Sequence, residues 1–511
     1  MTDSALNAAR RTRELAALAD GDPIDLLVIG GGVTGVGIAL DAASRGLRTV
    51  LAEKHDLAFG TSRWSSKLVH GGLRYLASGK VGIAHESAVE RGILIRYTAP
   101  HLVRPLPQLV PLLPAVGFVE KYLVRAGFVA GDLLRRGAGT PPALLPRSRK
   151  VKAAEALRSA PTLRREGLKG GIVAWDGQLV DDARFVVAIA RTAAAHGAKI
   201  LTRVEATDVT GQSATLRDTL TGSELLVRAK TVVNATGVWA GDIDPSITLR
   251  PSRGTHLVFS STAFGGLSAS LTVPVPGETG RFVFAFPAAH GRVYLGLTDE
   301  SAPGPIPDVP TATDEEIDFL LATINTVLRE PLTRNDILGT YAGLRPLLDT
   351  GDGSTADLSR NHAVLRAANG LITVVGGKLT TYRKMAEDAV DAAVLDGNLQ
   401  AGPCRTKQLP LVGAGDAAER DAVHAPQRLI ERYGTEAPTV AAAGSDELVA
   451  AGLDTTAAEF AFAVSHEGAM TVDDLLDRRT RIGLVAADRE RALPAAQAAI
   501  ANADSATSAT G

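Results

Sequence analysis

Residues 25 to 53 read DLLVIGGGVTGVGIALDAASRGLRTVLAE. An apolar run from Asp25 to Ile29 leads into Gly30, Gly32 and Gly35; next come a helix with its own apolar stripe, a turn at Gly46 and a second strand closing on Glu53. Strand, glycine turn, helix and strand in this order make the βαβ unit that binds the ADP half of a dinucleotide. Gly30 permits the tight turn, Gly32 lets backbone approach a pyrophosphate, and Gly35 lets the helix lie close on the strand, so that phosphates sit at the positive end of a helix dipole. Glu53, 23 residues after Gly30, stands where a carboxylate accepts hydrogen bonds from ribose hydroxyls. Because 52 glycines would produce GxGxxG by chance, the agreement of strands, helix and terminal acid is what gives the motif its meaning.

The chain beyond Glu53 bears on which dinucleotide the unit serves. A nicotinamide domain continues in regular βαβ units, whereas this chain runs into FGTSRWSSKLVHGGLRYL (Phe59 to Leu76), a Ser/Thr/Gly-rich stretch suited to wrapping a long extended cofactor. FAD is therefore the expected cofactor. Asn234-Ala-Thr-Gly-Val-Trp239, a glycine turn after an apolar strand, would pass the chain beside the pyrophosphate again. Val375-Gly-Gly-Lys-Leu-Thr-Thr-Tyr-Arg383 is a further strand, Gly-Gly, helix junction, and a helix N-terminus there would stabilise negative charge at the pyrimidine end of a reduced flavin ring.

A chain of 511 residues exceeds one ordinary core and implies two or three domains. The formal net charge of −2 excludes a general affinity for nucleic acid. One stretch departs from that balance: Lys121 to Lys169 carries twelve Lys or Arg against Asp132, Glu155 and Glu166, which marks either a surface for anionic lipid or a solvated basic face. Cys404, the single cysteine, makes no internal disulfide and cannot by itself build a zinc or iron-sulfur site, so no metal is expected and a reducing compartment fits. No segment has the length and apolarity of a membrane span or a signal peptide, which points to a cytoplasmic protein, soluble or peripheral.

The pattern along the chain is α/β: a Rossmann-like FAD-binding domain, an inserted antiparallel-sheet substrate domain and a C-terminal helical cap. Strand-like runs occur at 171–175, 199–203, 230–234, 256–259, 282–286, 292–295 and 371–375, and helical spacing at 183–196, 313–329 and 382–395. The expected division assigns 21–66, 146–242 and 339–398 to the FAD domain, 67–145 and 243–338 to the substrate domain, 399–500 to the cap and 501–511 to a disordered Ala/Ser/Thr tail.

Together GGGVTG, SSKLVHGGLRYL, WDGQLVDDARFV (175–186), NATGVWA, RGTHLVF (253–259), GLTDE, GLRPL (343–347), GGKLTTYRK and DDLLDRRTRIG (473–483) resemble the FAD-dependent glycerol-3-phosphate dehydrogenases, in order from about residue 20 into the cap. The resemblance implies oxidation of sn-glycerol 3-phosphate to dihydroxyacetone phosphate, with electrons passed to a quinone at the membrane. With no span in the sequence, the protein is expected to meet the inner face of an anionic membrane peripherally, through the basic, partly apolar stretch Leu109 to Lys169. Arg63-Trp64 stands where the pattern calls for small or hydroxylated residues, a departure at a turn expected to contact the flavin.

Flavin contacts are expected from Gly30, Gly32, Gly35, Glu53, Thr61, Ser62, Ser66, His70, Gly71, Gly72, Gly237, Gly377, Leu379 and Thr380. A phosphate dianion is bound best by Arg forks and Lys, and the matched segments place Arg74, Arg345, Arg360 and Lys378 beside glycine turns, although any one of them alone reads as a surface charge. By resemblance Arg74, Tyr75, His256, Arg345 and Lys378 contact substrate. Removal of the C2 hydroxyl proton, as hydride leaves C2 for flavin N5, needs a base. His256 is preferred because imidazole suits proton transfer near neutrality, with His70 the rival and Arg345 an alternative stabiliser of the alkoxide.

Other functions fit the fingerprint. An oxidase of the same fold would yield hydrogen peroxide; an amino-acid or 2-hydroxy-acid oxidoreductase would need a carboxylate clamp rather than so many cations. A noncatalytic flavoprotein scaffold and an RNA-modifying flavoprotein belong to other classes, the latter disfavoured by the charge. A homodimer is compatible with the sequence, which does not fix the oligomeric state.

Overall fold

The Asp25–Glu53 unit lies at the centre of a mainly parallel sheet. In the computed structural model, which describes residues 3–72, 81–114, 118–278, 280–349 and 362–508, strand Ile24–Ile29 pairs in parallel with Thr49–Glu53 on one side and Glu224–Asn234 on the other. Lys199–Thr202 continues the sheet beyond Thr49–Glu53, Ile372–Gly376 continues it beyond Glu224–Asn234, and His362–Arg366 adds antiparallel at that edge. Every residue of Ile24–Ile29 is buried, as a parallel strand covered on both faces requires. Leu26 and Val28 point to helices Val33–Ser44, Asp182–Ala195 and Tyr382–Asp396, while Leu27 and Ile29 join the opposite core with Leu18 of the N-terminal helix Ala8–Ala19 and the hairpin Val204–Thr207/Ser213–Asp218.

The second sheet runs in the order Glu300–Ser301, Ser252–Ser260, Arg292–Gly296, Phe282–Ala288, Ser270–Pro274, Val103–Pro111, Gly171–Leu179, Leu68–Val69. Its one parallel contact among the described residues joins Val103–Pro111 to Ser270–Pro274. Helix Asp314–Asn325, begun by a Thr313/Glu316 capping box, packs behind it.

Several boundaries differ from the sequence expectation. Gly171–Leu179 and Arg149–Val151, assigned to the FAD domain, belong to the second sheet, where Gly171–Leu179 pairs with Val103–Pro111 over nine positions. Gly339–Arg345, also assigned to the FAD domain, pairs with Ser252–Ser260. A short apolar run announces a strand but not the sheet it joins, since that depends on partners far along the chain. The FAD-binding half also begins earlier than residue 21: Arg11 reaches from helix Ala8–Ala19 to the Thr202 carbonyl (2.7 Å) and to Asp218 (2.6 Å). Residues 501–508, expected in a disordered tail, continue helix Ala486–Ser508, as their alanine content favours.

The C-terminal part is helical, with Gln427–Tyr433, Ala437–Ala442, Ala457–His466 and Ala486–Ser508 as its main elements. Buried ion pairs fasten it to the body. Arg184 binds Glu467 (2.8 Å), Arg191 binds Glu436 with both terminal nitrogens (2.7 Å each), and Arg478 and Arg479 converge on Asp56. Among the described residues no helix is long and apolar enough to cross a membrane.

Candidate active site

Three turns at the carboxyl ends of adjacent parallel strands border one cavity of about 1010 Å³. They are Gly30–Gly32, Ala235–Gly237 and Gly376–Lys378, and their strands are neighbours in register, with Ile29 opposite Asn234 and Asn234 opposite Thr373. Open α/β sheets bind ligands at this edge. Gly30 has φ +108°, and a β-carbon there would stand 2.7 Å from the Ala235 carbonyl oxygen. At Gly35 it would stand 1.9 Å from the Gly30 oxygen, so helix and strand touch backbone to backbone.

Glu53 lines the same end, its carboxylate accepting the Gly31 N–H at 2.5 Å and the His55 N–H at 2.7 Å; burial pushes its pKa up. The Asn234 side-chain oxygen accepts the Thr236 N–H and hydroxyl and so closes its turn. Ser62 Oγ accepts the Val33 N–H at 2.9 Å, at the start of helix Val33–Ser44, and Thr61 donates to the Leu344 carbonyl at 2.6 Å. An extended dinucleotide fits this donor set: bare backbone at the glycine turns, a helix N-terminus, and a carboxylate at the sheet edge.

At the far end the second sheet closes over the cavity. His256, on Ser252–Ser260, is 1% exposed; its Nε2 is 2.9 Å from Ser66 Oγ and its ring stacks on Tyr341 with centroids 4.6 Å apart. Burial, with the positive charges of Lys67 and Arg345, holds the imidazole well below its ordinary pKa, so at neutral pH it is the free base. Arg345 ends the neighbouring strand and donates to Ser252 Oγ (3.1 Å), Asp299 (3.1 Å) and the Thr298 carbonyl (3.2 Å). Gly254 makes room for it: a β-carbon there would stand 2.3 Å from an Arg345 terminal nitrogen. Lys378 donates to Ser87 Oγ at 2.7 Å.

Of the residues expected from sequence, His70, His256, Arg345, Lys378, Leu379 and Thr380 share this cavity with Gly30, Gly32, Glu53, Thr61, Ser62, Ser66, Gly237 and Gly377. Gly35, Gly71 and Gly72 do not line it. Gly35 serves helix packing; the Gly71 N–H donates to Asp176 (3.2 Å), which also holds Arg91 (2.7 Å); the Gly72 N–H donates to His70 Nδ1 (3.2 Å). Arg74, Tyr75 and Arg360 lie outside the described residues.

Residues 25–383 match the family described as FAD dependent oxidoreductase, and residues 404–508 match the C-terminal domain of alpha-glycerophosphate oxidase. Glycerol-3-phosphate dehydrogenase 1 of Mycobacterium tuberculosis is 61% identical over 505 residues, 97% of this chain and 98% of that protein. Among solved structures, the FAD complex of the glycerol-3-phosphate dehydrogenase from Bacillus halodurans superposes with a TM-score of 0.72 at 30% identity, covering 96% of this chain and 94% of that one. The chain belongs to the FAD-dependent glycerol-3-phosphate dehydrogenase family, and FAD is its cofactor. L-alpha-glycerophosphate oxidase from Mycoplasma pneumoniae, at 18% identity and a TM-score of 0.56 over 76% of this chain and 99% of that one, shares the fold.

Three features of this glycerol-3-phosphate dehydrogenase family member escape sequence reasoning. Asp299 and Ser252 orient Arg345, Tyr341 stacks on His256, and Lys67 lies buried against Asp182 at 3.1 Å. GLTDE and GLRPL are visible as strings, but their pairing across strands is not. The Arg63-Trp64 departure also resolves. Arg63 turns away from solvent, its guanidinium 4.2 Å from the Trp64 ring centroid and its Nε donating to the Phe59 carbonyl, and burial beside Arg481 and Arg478 lowers its pKa to about 9. It braces the turn from within, leaving Thr61, Ser62 and Ser66 on the cavity.

Proposed function

We propose that this protein oxidises sn-glycerol 3-phosphate to dihydroxyacetone phosphate and delivers the electrons to a membrane quinone. The observation that carries the reading is that the glycine-turn cradle and His256, Arg345 and Lys378 share one cavity. When bound, FAD supplies the hydride acceptor for C2 at flavin N5. The residues expected to hold it are those of the glycine turns, with Glu53, Ser62 and the Leu379–Thr380 turn. His256, neutral at working pH, receives the C2 hydroxyl proton at Nε2; Ser66 Oγ, which lines the cavity and bonds Nε2, stands on that path. Arg345, held on three sides, keeps a fixed positive charge for the developing alkoxide, and Lys378, anchored on Ser87, meets the phosphate together with Arg345.

A quinone dissolved in lipid requires the protein to reach a membrane surface without crossing it. Helix Phe118–Gly137 supports that reading. Val124, Gly127 and Phe128 line the cavity, while Val129 and Leu133 are exposed to solvent. The residues beyond it carry the exposed cations Arg147, Lys150, Arg158, Arg164 and Lys169. Apolar side chains beside an excess of positive charge suit an anionic bilayer. The rival acceptor is oxygen, favoured by the match of residues 404–508 to a domain named for an oxidase. Turnover with a soluble quinone analogue, measured with and without anionic liposomes and with peroxide followed in parallel, separates the two. Salt-sensitive liposome binding, faster quinone turnover and little peroxide are expected. Stoichiometric peroxide with no response to quinone or lipid would establish the oxidase.

A further inference from the structure

Between Ser65 and Lys67 the chain is tied at both ends to one carboxylate. Asp182 Oδ2 accepts the Ser65 N–H (3.0 Å), the Ser65 hydroxyl (2.8 Å) and the Lys67 ammonium (3.1 Å), while Oδ1 accepts the Ala183 N–H (3.0 Å) at the start of helix Asp182–Ala195. The residue in the middle is Ser66, whose hydroxyl meets His256 Nε2 at 2.9 Å. Lys67 does not line the cavity, is 4% exposed along its side chain, and takes a left-handed backbone conformation with φ +54°. A charge is costly to bury, so an apolar residue would serve better if filling space were the only requirement.

The ammonium also faces two aromatic rings, lying 4.7 Å from the Tyr341 centroid and 5.4 Å from that of Tyr294. The Tyr341 ring in turn stacks on His256 at an interplanar angle of 9°, and its hydroxyl donates to the Ser65 carbonyl. We propose that Lys67, held by Asp182, is a positioning residue for His256: the pair fixes the Ser66 to His256 hydrogen bond and sets a positive charge against the imidazole, so that the ring stays free to accept a proton. This rests on the reading of His256 as the base.

Among the described residues the other charged or titratable groups around His256 are few. Arg345, on the neighbouring strand, adds positive charge but is paired with Asp299. Tyr341 and Tyr294 are phenols that burial keeps protonated. Asp181 and Arg481 offset each other at 3.6 Å, next to the Asp182 and Lys67 pair. Burial acts first on the ring, and among the described residues Lys67 and Arg345 are the cations that add to it. Burial also draws the pKa of Lys67 down, and the carboxylate of Asp182 opposes that by holding its proton.

The test reads the ring directly, in FAD-loaded enzyme labelled at histidine Cε1, with the His256 resonance assigned by its loss in His256→Gln. In the unaltered protein this resonance is expected to keep its neutral-form shift well below the ordinary imidazole midpoint. Lys67→Met should raise the midpoint by about one pH unit, and the acid limb of kcat/KM should move with it. Lys67→Arg should restore both. An ordinary midpoint in the unaltered protein overturns the proposal, and that measurement stands even if Lys67→Met fails to fold. An unmoved midpoint in flavin-replete Lys67→Met overturns it too. If the midpoint moves as expected while His256→Gln keeps its turnover, the base reading falls and the link from Lys67 to the ring remains.

Discussion

A β-carbon at Gly30 would stand 2.7 Å from the Ala235 carbonyl oxygen and one at Gly35 1.9 Å from the Gly30 oxygen, so at these two positions of the first turn nothing larger fits. Such residues are legible in sequence because their reason is local: a turn, a helix start, a strand end a few positions away. The cations are half legible. Arg345 and Lys378 stand in recognisable strings, but what orients them, Asp299 and Ser252 for one and Ser87 for the other, lies 46, 93 and 291 residues away. Both are expected to act on substrate and not on cofactor. Arg345→Ala or Lys378→Ala should therefore keep FAD content near normal while kcat/KM for glycerol 3-phosphate falls roughly ten- to hundredfold, since a charge-assisted hydrogen bond contributes about 1.5–3 kcal/mol. Unchanged kinetics in both variants would move the substrate elsewhere.

Asp56 is where the cofactor turn meets the helical cap. It is 1% exposed and accepts the Arg478 Nε–H at 2.6 Å and both terminal nitrogens of Arg479 at 2.8 Å, which hold its carboxyl well below the usual carboxylate range despite burial. Two residues on from Arg479, Arg481 donates to the Arg63 carbonyl, and Leu484 and Val485 pack with Tyr341 and Tyr294. The cap segment thus braces the turn that carries Thr61, Ser62 and Ser66. The string DDLLDRRTRIG was readable as part of the family pattern, but no local rule names a partner 422 residues away. Asp56→Ala leaves Arg479 without its carboxylate and Arg478 with Asp474 alone, and should cost about 3–5 kcal/mol. Chemical denaturation should show that loss, with weaker FAD retention at temperatures where the protein is still folded. A variant as stable as the parent would show that the cap is held by its apolar contacts instead.

Across the whole molecule the parallel sheet was visible in one 29-residue stretch, whereas membership of the second sheet was not, because Gly171–Leu179 and Gly339–Arg345 acquire their places only through partners that no periodicity reveals. A buried histidine contributes to the response of the molecule to acid, beside carboxylates such as Asp56. His101 lies under the start of the cap, close to Gly413 and Gly434, and burial, aided by Arg420 and Arg184, lowers its pKa to about 3. Its unfolded value is near ~6.5, so its contribution is fully present above that pH and is lost as pH falls from there toward about 3, at roughly 1.4 kcal/mol per unit. His101→Gln should flatten the fall of stability with pH in that window by about one proton's worth, read from denaturation midpoints at successive pH values; an unchanged slope would place the acid sensitivity in other groups. The central claim, that FAD and the cation-lined pocket form one site for glycerol 3-phosphate, is tested most directly by mixing the FAD-loaded protein with sn-glycerol 3-phosphate under anaerobic conditions and following the visible flavin absorbance. Rapid bleaching by this substrate, with none by glycerol or an amino acid, is the expected result; a flavin that keeps its colour with glycerol 3-phosphate would contradict it.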